Sequence, residues 1–307
     1  MKKSNNPLLY PLSWLYGLGV GLRNFLFNQG ILKQQSYSIP LICVGNITVG
    51  GTGKTPHVEL LISILRKQYR IAVISRGYKR KSRGLREVTL TSTAEEVGDE
   101  PKQIKQKYPE VRFVVDGNRR RAMRYLLALP EVERPDVVLL DDGFQHRYVH
   151  PSFSILLIDA QRELHDDELL PLGGLREPAT ARYRADCIIL TKCPHDMQPI
   201  TLRIMQRNLD LYAHQEIFFS RICYQQPRAV RTLLGEAASP LPKDALVIAL
   251  SGIASPGLFF TYLGERYELI DQLVYPDHHH FRPKDFTAIS ERWQELCEQY
   301  SGRPVYI

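Results

Sequence analysis

The chain has 307 residues, 44% of them hydrophobic and 24% charged, the composition of an ordinary globular protein with room for one large or two modest domains. Its five cysteines (Cys43, Cys187, Cys193, Cys223 and Cys297) are scattered without a C-x-x-C pair, which argues against a disulfide framework or structural zinc and fits a reducing cytosol. A net charge of +7 and a pI near 9.1 suggest an anionic partner: nucleic acid, a phosphorylated substrate or an anionic membrane surface.

The first segment, Pro7 to Leu32, is dense in Leu, Trp, Tyr and Phe and is flanked or interrupted by Lys2, Lys3, Arg23 and Lys33. It lacks the small-residue cleavage pattern of a secretory signal. Its prolines and glycines spoil the ~20 clean apolar residues that a spanning helix needs. An interfacial amphipathic helix with basic flanks and aromatic anchors fits better, with a helix packed on the protein's own core as the alternative.

The next stretch, Leu41 to Pro56, reads LICVGNITVGGTGKTP. A short apolar run, a glycine-rich turn, Gly53-Lys54-Thr55 and an apolar-rich segment follow one another. This is the strand–loop–helix layout of a phosphate-binding P-loop. Glycines let backbone N–H groups curl around phosphate oxygens, and the helix N-terminus adds its own free N–H groups and positive dipole end. Lys54 can then reach the β- and γ-phosphates, and the Thr55 hydroxyl can ligate Mg²⁺. One position departs from the strict pattern: Thr48 stands where a glycine is expected, leaving Gly50, Gly51 and Gly53 to supply flexibility.

Apolar runs then alternate with helical patterns: Leu41–Val44, Ile71–Ser75, Phe113–Val115, Val137–Leu140, Ile155–Ile158, Cys187–Leu190 and Leu246–Leu250. Most are continuous, as in strands buried on both faces of a parallel sheet. The expected fold is α/β, a doubly wound and mostly parallel P-loop sheet, with functional residues gathered where the strands end. Two basic clusters should share that rim: Arg76, Lys79, Arg80, Lys81, Arg83 and Arg86, then Arg119-Arg120-Arg121 with Arg124. Solvated surface charge is the alternative for each arginine taken alone. Between them, Gly98-Asp99-Glu100-Pro101 is an acidic turn that also suits an ordinary helix start.

Val137 to Leu140 followed by Asp141-Asp142-Gly143-Phe144-Gln145-His146 is a Walker B arrangement, an apolar strand whose terminal Asp can hold Mg²⁺. Alternation aims the two aspartates differently, so one can serve the metal while the other faces the acceptor. Thr191-Lys192-Cys193-Pro194 lacks the Asn and Asp of a guanine-reading loop, and GTP specificity is not supported. Beyond Pro194 the pattern loosens. Ile217–Tyr224 reads as a β-like run suited to an interdomain linker, and a second α/β pattern begins near Leu246. The adjacent histidines of Asp277-His278-His279-His280 converge poorly on one ion, and a single His for acid/base or orienting work suits them better. The end at Pro304–Ile307 reads as a strand cut short.

Together these stretches resemble the tetraacyldisaccharide 4'-kinases of lipid A synthesis. The resemblance rests on Gly45-Asn46-Ile47-Thr48 through Thr55-Pro56, Ser75-Arg76-Gly77-Tyr78, Gly98 to Pro101, Asp116-Gly117 with its arginines, Asp141 to His146, Leu175-Arg176-Glu177-Pro178 and Asp277-His278-His279. They run in order over nearly the whole chain. In that family an apolar strand like Val305–Ile307 continues into a Thr-Thr-Glu-Lys-Asp segment, which is missing here.

The resemblance implies a membrane-associating helix over residues 1–35, a P-loop kinase core over 36–215 and a smaller α/β domain over 216–307. It implies phosphorylation of the 4'-hydroxyl of a tetraacylated glucosamine disaccharide 1-phosphate by ATP with Mg²⁺. The site would be at the cytoplasmic face of the bacterial inner membrane, with the protein peripheral or monotopic and no nucleic-acid partner. Thr48, Val49, Gly50, Gly51, Thr52, Gly53, Lys54 and Thr55 would hold the nucleotide. Thr55 and Asp141, assisted by Glu177, would hold the metal. Asp99 is the expected base, paired with His278, and Asp142 is its rival. Arg76, Tyr78, Arg119, Arg120, Arg121 and Gln145 are the expected substrate contacts. Two other classes predict different behaviour. A P-loop regulatory or transport ATPase would turn over ATP without acylated sugar. A nucleic-acid ATPase would show salt-sensitive binding, though no nucleic-acid motif is present.

Overall fold

The structure, a computed structural model, describes residues 7–162, 164–227, 241–253, 256–277 and 279–307. In chain order the elements are α1 (Leu9–Asn28), β1 (Leu41–Gly45), α2 (Lys54–Leu65), β2 (Ile71–Ser75), β3 (Arg86–Val88), α3 (Ala94–Val97), α4 (Asp99–Lys107), β4 (Arg112–Val115), α5 (Arg119–Leu127), β5 (Val137–Asp141), β6 (Phe153–Asp159), β7 (Cys187–Thr191), α6 (Pro199–Asn208), β8 (Glu216–Phe219), β9 (Leu246–Ser251), α7 (Gly257–Gly264), β10 (Glu268–Val274), α8 (Pro283–Gln299) and β11 (Val305–Tyr306). They divide into two compact units, Met1–Arg221 and Ile222–Ile307.

The first unit carries an eight-stranded sheet in the order β3-β4-β2-β5-β1-β6-β7-β8, parallel except for the β3 edge. Its strands are the continuous apolar runs read from sequence. Alternate side chains feed two cores. Cys43, Ile74, Leu140, Leu156 and Ile188 belong to one core, together with Ala122, Met123 and Leu126 of α5. Val44, Val73, Leu139, Ile155 and Leu157 face Val58 and Ile62 of α2 and Ile104 of α4. Each such side chain contributes about 1.5–3 kcal/mol on burial, so the sheet is the rigid frame of the unit. The order reverses around β1: the chain first winds outward to β2 and β4, then returns through β5 and continues on the other side with β6. A doubly wound sheet opens its ligand crevice at such a reversal, beyond the carboxyl ends of the strands.

Two strands were not evident in the sequence. β3 is a three-residue antiparallel edge bearing Arg86 and Glu87, and β10 is only partly buried, with polar residues interrupting its apolar ones. The Ile217–Tyr224 run does not act as one linker. Its first residues belong to β8, which pairs with β7, and the boundary between the units falls after Arg221. The second unit has a parallel three-stranded sheet, β10-β9-β11, over its own small cores of Ala245, Val247, Ala249, Leu263 and Tyr267 on one side and Leu246, Ile248, Leu296 and Val305 on the other.

Helix α1 inverts the usual pattern of a surface helix. Its polar side chains point to the protein. Ser13 Oγ donates to the Leu169 carbonyl, Tyr16 to the Arg176 carbonyl, Arg23 to the Gln145 carbonyl and Asn24 Nδ2 to Glu177. Leu12, Trp14, Leu15, Leu18, Leu22 and Phe25 face outward, Trp14 at 66% exposure. Pro11 is tolerated because the first helical turn lacks internal N–H partners. No helix among the described residues is long and apolar enough to cross a membrane.

Candidate active site

β1 and β5 are hydrogen-bonded neighbours in a register that pairs Val44 with Asp141, so the P-loop and the Asp-Asp pair leave the sheet side by side. The P-loop turns through Gly50 and Gly53, whose φ values of 104° and 84° favour glycine. Gly53 is the N-cap of α2 and has no side chain to occupy the first-turn amides. Pro56, in that same turn, has no N–H. The Lys54 and Thr55 amides are therefore the ones aimed out of the helix end, where a phosphate is favoured.

The departure at Thr48 has a structural reason. Instead of a glycine turn, the first half of the loop is a short ladder with residues 174–176. Thr48 bridges Leu175 in antiparallel sense, the Val49 N–H donates to the Gly174 carbonyl at 2.7 Å, and the Arg176 N–H donates to the Ile47 carbonyl at 2.7 Å. Arg162 Nη1 caps the Val49 carbonyl at 2.9 Å, and its guanidinium pairs with Asp167 at 2.6 Å. A buried, extended Thr48 fits where a glycine hinge is not needed. Thr52 is held from both sides: its hydroxyl accepts from Asn46 Nδ2 at 2.9 Å and its carbonyl from the Thr191 hydroxyl at 3.0 Å.

Gly174 is the tight point of this ladder, because a Cβ there would overlap the Arg162 guanidinium. Gly174→Ala is expected to push Arg162 off the Val49 carbonyl. The expected results are a loss of about 1–3 kcal/mol in denaturant unfolding and weaker ATP binding in titration. Unchanged stability and affinity would show that the ladder does not shape the P-loop.

The two aspartates diverge. Asp141 is buried and accepts from Ser75; burial, with the Glu100 and Asp142 carboxylates nearby, pushes its carboxyl up to about 7 against the opposing pull of Lys54. Asp142 takes the left-handed region at φ 50°, a conformation costing a non-glycine residue roughly 1–2 kcal/mol. It places the carboxylate 3.6 Å from Lys54 Nζ and 3.4 Å from Arg176 Nη1. Arg176 thus joins the P-loop ladder to the Asp142 carboxylate and, through it, to the P-loop lysine.

The other residues expected at the site divide into exposed and internally engaged groups. Asp99 is exposed at the start of α4, and Gly98 before it packs against the 77–78 turn. Arg76 and Tyr78 are exposed on that turn. Arg120 lies over the Tyr148 ring at 5.0 Å. Arg119 is 4% exposed and donates to the Asp116 and Gly117 carbonyls. Arg121 makes a two-pronged ion pair with Asp116 at 2.7 and 2.8 Å. Gln145 Nε2 donates to the Asn46 carbonyl. Glu177 is 1% exposed; Oε2 accepts from Arg184 at 2.7 Å and from Asn24 at 3.2 Å, and Oε1 has no hydrogen-bond partner among the described residues. His278 lies outside the described residues, while His279 pairs with Asp285 at 2.9 Å.

Several braces were not anticipated from sequence. Arg162, Asn46, His57, Thr191 and Arg184 all bond to the P-loop, its neighbours or Glu177. Asn46, directly after β1, was the one with a local signal: a polar residue at a strand tip feeding a phosphate loop.

Comparison with known proteins gives a consistent picture. The family model described as "Tetraacyldisaccharide-1-P 4'-kinase" matches residues 5–300. A protein named tetraacyldisaccharide 4'-kinase from Porphyromonas gingivalis is 50% identical over 291 residues, covering 95% of this chain and 81% of that protein. One of the same name from Parabacteroides distasonis is 47% identical over 298 residues, covering 95% of this chain and 79% of its own length. Among solved structures, the "apo" form of LpxK from Aquifex aeolicus in complex with ATP superposes with a TM-score of 0.67 at 31% identity, over 96% of this chain and 90% of that one.

Proposed function

The chain belongs to the tetraacyldisaccharide-1-P 4'-kinase family, and we propose how its own residues perform the reaction that this membership gives it. The chain is a kinase that transfers the γ-phosphate of ATP to the 4'-hydroxyl of a tetraacylated glucosamine disaccharide 1-phosphate in lipid A biosynthesis. The observation that carries the residue-level reading is the meeting of Lys54 with the Asp141–Asp142 pair where β1 and β5 end.

The loop over residues 50–55 cradles the phosphates, with the Lys54 and Thr55 N–H groups aimed at them; Thr48 and Val49 shape that loop through their ladder to residues 174–176, and Lys54 Nζ lies against the β- and γ-phosphates. The donor set suits a hard cation: Asp141 is a buried carboxyl crowded by two others, and Glu177 offers a buried, unpartnered oxygen. Thr55, Asp141 and Glu177 would hold Mg²⁺, which neutralises charge on the transferred phosphoryl group when bound. Asp99 takes the proton of the sugar hydroxyl. Arg76, Tyr78 and Arg120 face the anionic sugar. Arg119, Arg121 and Gln145, bonded within the protein, keep that rim in shape and present what remains of their donors to it.

The test is label transfer from γ-labelled ATP to tetraacyl disaccharide 1-phosphate in detergent micelles. Labelled lipid supports the reading. Release of inorganic phosphate alone, equal with and without lipid, supports the ATPase alternative instead.

The outward apolar face of α1 motivates the membrane part of the proposal: the protein rests on the cytoplasmic face of the bacterial inner membrane. Burial of even four of these side chains at about 1.5–3 kcal/mol each exceeds the ~5.5 kcal/mol that corresponds to a single myristoyl anchor's binding constant of about 10⁴ M⁻¹. Leu18→Glu combined with Leu22→Glu is expected to abolish flotation with anionic phospholipid vesicles and leave ATP binding unchanged. Full co-flotation of the double variant would remove α1 as the anchor.

A further inference from the structure

His57 lies one turn into α2, on the helix that carries Lys54. Both of its ring nitrogens are engaged. Nδ1 is 2.7 Å from the Gly53 carbonyl, and Nε2 is 3.0 Å from the Ser220 hydroxyl. A carbonyl can only accept, so Nδ1 carries the proton, and in the neutral ring Nε2 accepts from Ser220. The Gly53 carbonyl also receives the His57 backbone N–H at 3.2 Å, the first hydrogen bond of the helix. One carbonyl is thus pinned twice by the same residue.

We propose that His57 is a positioning residue for phosphoryl transfer, holding the Gly53–Lys54 peptide so that the Lys54 N–H points at the nucleotide's phosphates. The inference rests on the kinase reading and adds to it. The Gly53 carbonyl and the Lys54 N–H belong to one planar trans peptide and point in opposite directions. Fixing the carbonyl along the helix therefore fixes the N–H outward from the helix end. Such a device is useful here because Gly53 sits at φ 84° with no side chain to limit its motion.

Ser220 makes the anchor firm. Its N–H donates to the Leu190 carbonyl at 2.8 Å, and its carbonyl accepts from the Cys193 N–H at 2.9 Å. The residue is therefore fixed by β7 and the turn after it before its hydroxyl reaches His57. Thr191 in that same segment donates to the Thr52 carbonyl, so two consecutive P-loop carbonyls, those of Thr52 and Gly53, are held by side chains.

The test compares wild type, His57→Ala, His57→Asn and Ser220→Ala, by ATP binding and by steady-state kinetics varying ATP and lipid separately. Asn places an N–H donor close to where Nδ1 stands but cannot reach Ser220. His57→Ala is expected to raise KM for ATP about three- to tenfold, the equivalent of one net hydrogen bond, with KM for the lipid unchanged. His57→Asn should recover most of that loss, and Ser220→Ala, which removes only a hydroxyl, should show part of it. Nucleotide-free melting temperatures identify a change in folding. An unchanged ATP affinity in folded His57→Ala, or an equal loss in His57→Asn, overturns the positioning role. If His57→Ala does not fold, an unchanged ATP affinity in Ser220→Ala overturns it. Failure of the wild-type chain to bind ATP would instead overturn the kinase reading beneath it.

Discussion

Lys54→Ala is expected to cut lipid phosphorylation by about a hundredfold to a thousandfold, the scale of losing one preorganised charge-stabilising group, while the protein stays folded. The two effects separate by magnitude. The Lys54–Asp142 pair is partly exposed, at 17% and 31% for the two side chains, and spans 3.6 Å. Such a pair contributes about 0–1 kcal/mol to stability. The predicted rate loss corresponds to about 2.7–4 kcal/mol of transition-state stabilisation. Unfolding therefore does not account for it. The measurement is kcat with matched melting curves. Activity within a few-fold of wild type would remove Lys54 from the phosphate site.

Asp99→Ala is expected to lower kcat on the order of a hundredfold or more, the usual contribution of a general base. Asp142→Ala should act differently. Asp142 stands between Lys54 and Arg176, so its removal frees both cations and disturbs the nucleotide cradle. The expected signature is a raised KM for ATP together with a lowered kcat. Asp99 sits exposed at the first turn of α4, beside the turn bearing Tyr78, and the carboxylate that meets Lys54 and Arg176 is that of Asp142. Loss of Asp99 should leave KM for ATP nearly unchanged. A nearly unchanged kcat in Asp99→Ala would move the base to Asp142.

Much of the sheet was legible because burial on both faces writes itself as unbroken apolar runs. The neighbouring strands that lead into the P-loop and the Asp141–Asp142 pair, β1 and β5, came directly from such runs. β3 and β10 did not, because short or half-exposed strands carry polar residues that erase the pattern. The P-loop was legible despite Thr48, but the reason Thr48 is acceptable was not. It depends on a ladder to residues more than a hundred positions away. Charge runs were the least informative. Arg119, Arg120 and Arg121 are consecutive, yet one is buried on backbone carbonyls, one stacks on Tyr148 and one pairs with Asp116. Sequence gives the charge and leaves the partner open. For α1, composition indicated an apolar helix, but only the contacts of Ser13, Tyr16, Arg23 and Asn24 show which side faces the protein.

The position of the transferred phosphate on the disaccharide distinguishes this kinase from any other phosphotransferase or ATPase. Product made from ATP and the tetraacyl disaccharide 1-phosphate would be examined by two-dimensional phosphorus–proton correlation. One new phosphomonoester coupled to the proton on C4' of the distal glucosamine is expected, with the 1-phosphate unchanged. A phosphate correlated to any other carbon, or inorganic phosphate as the sole new signal, would contradict it.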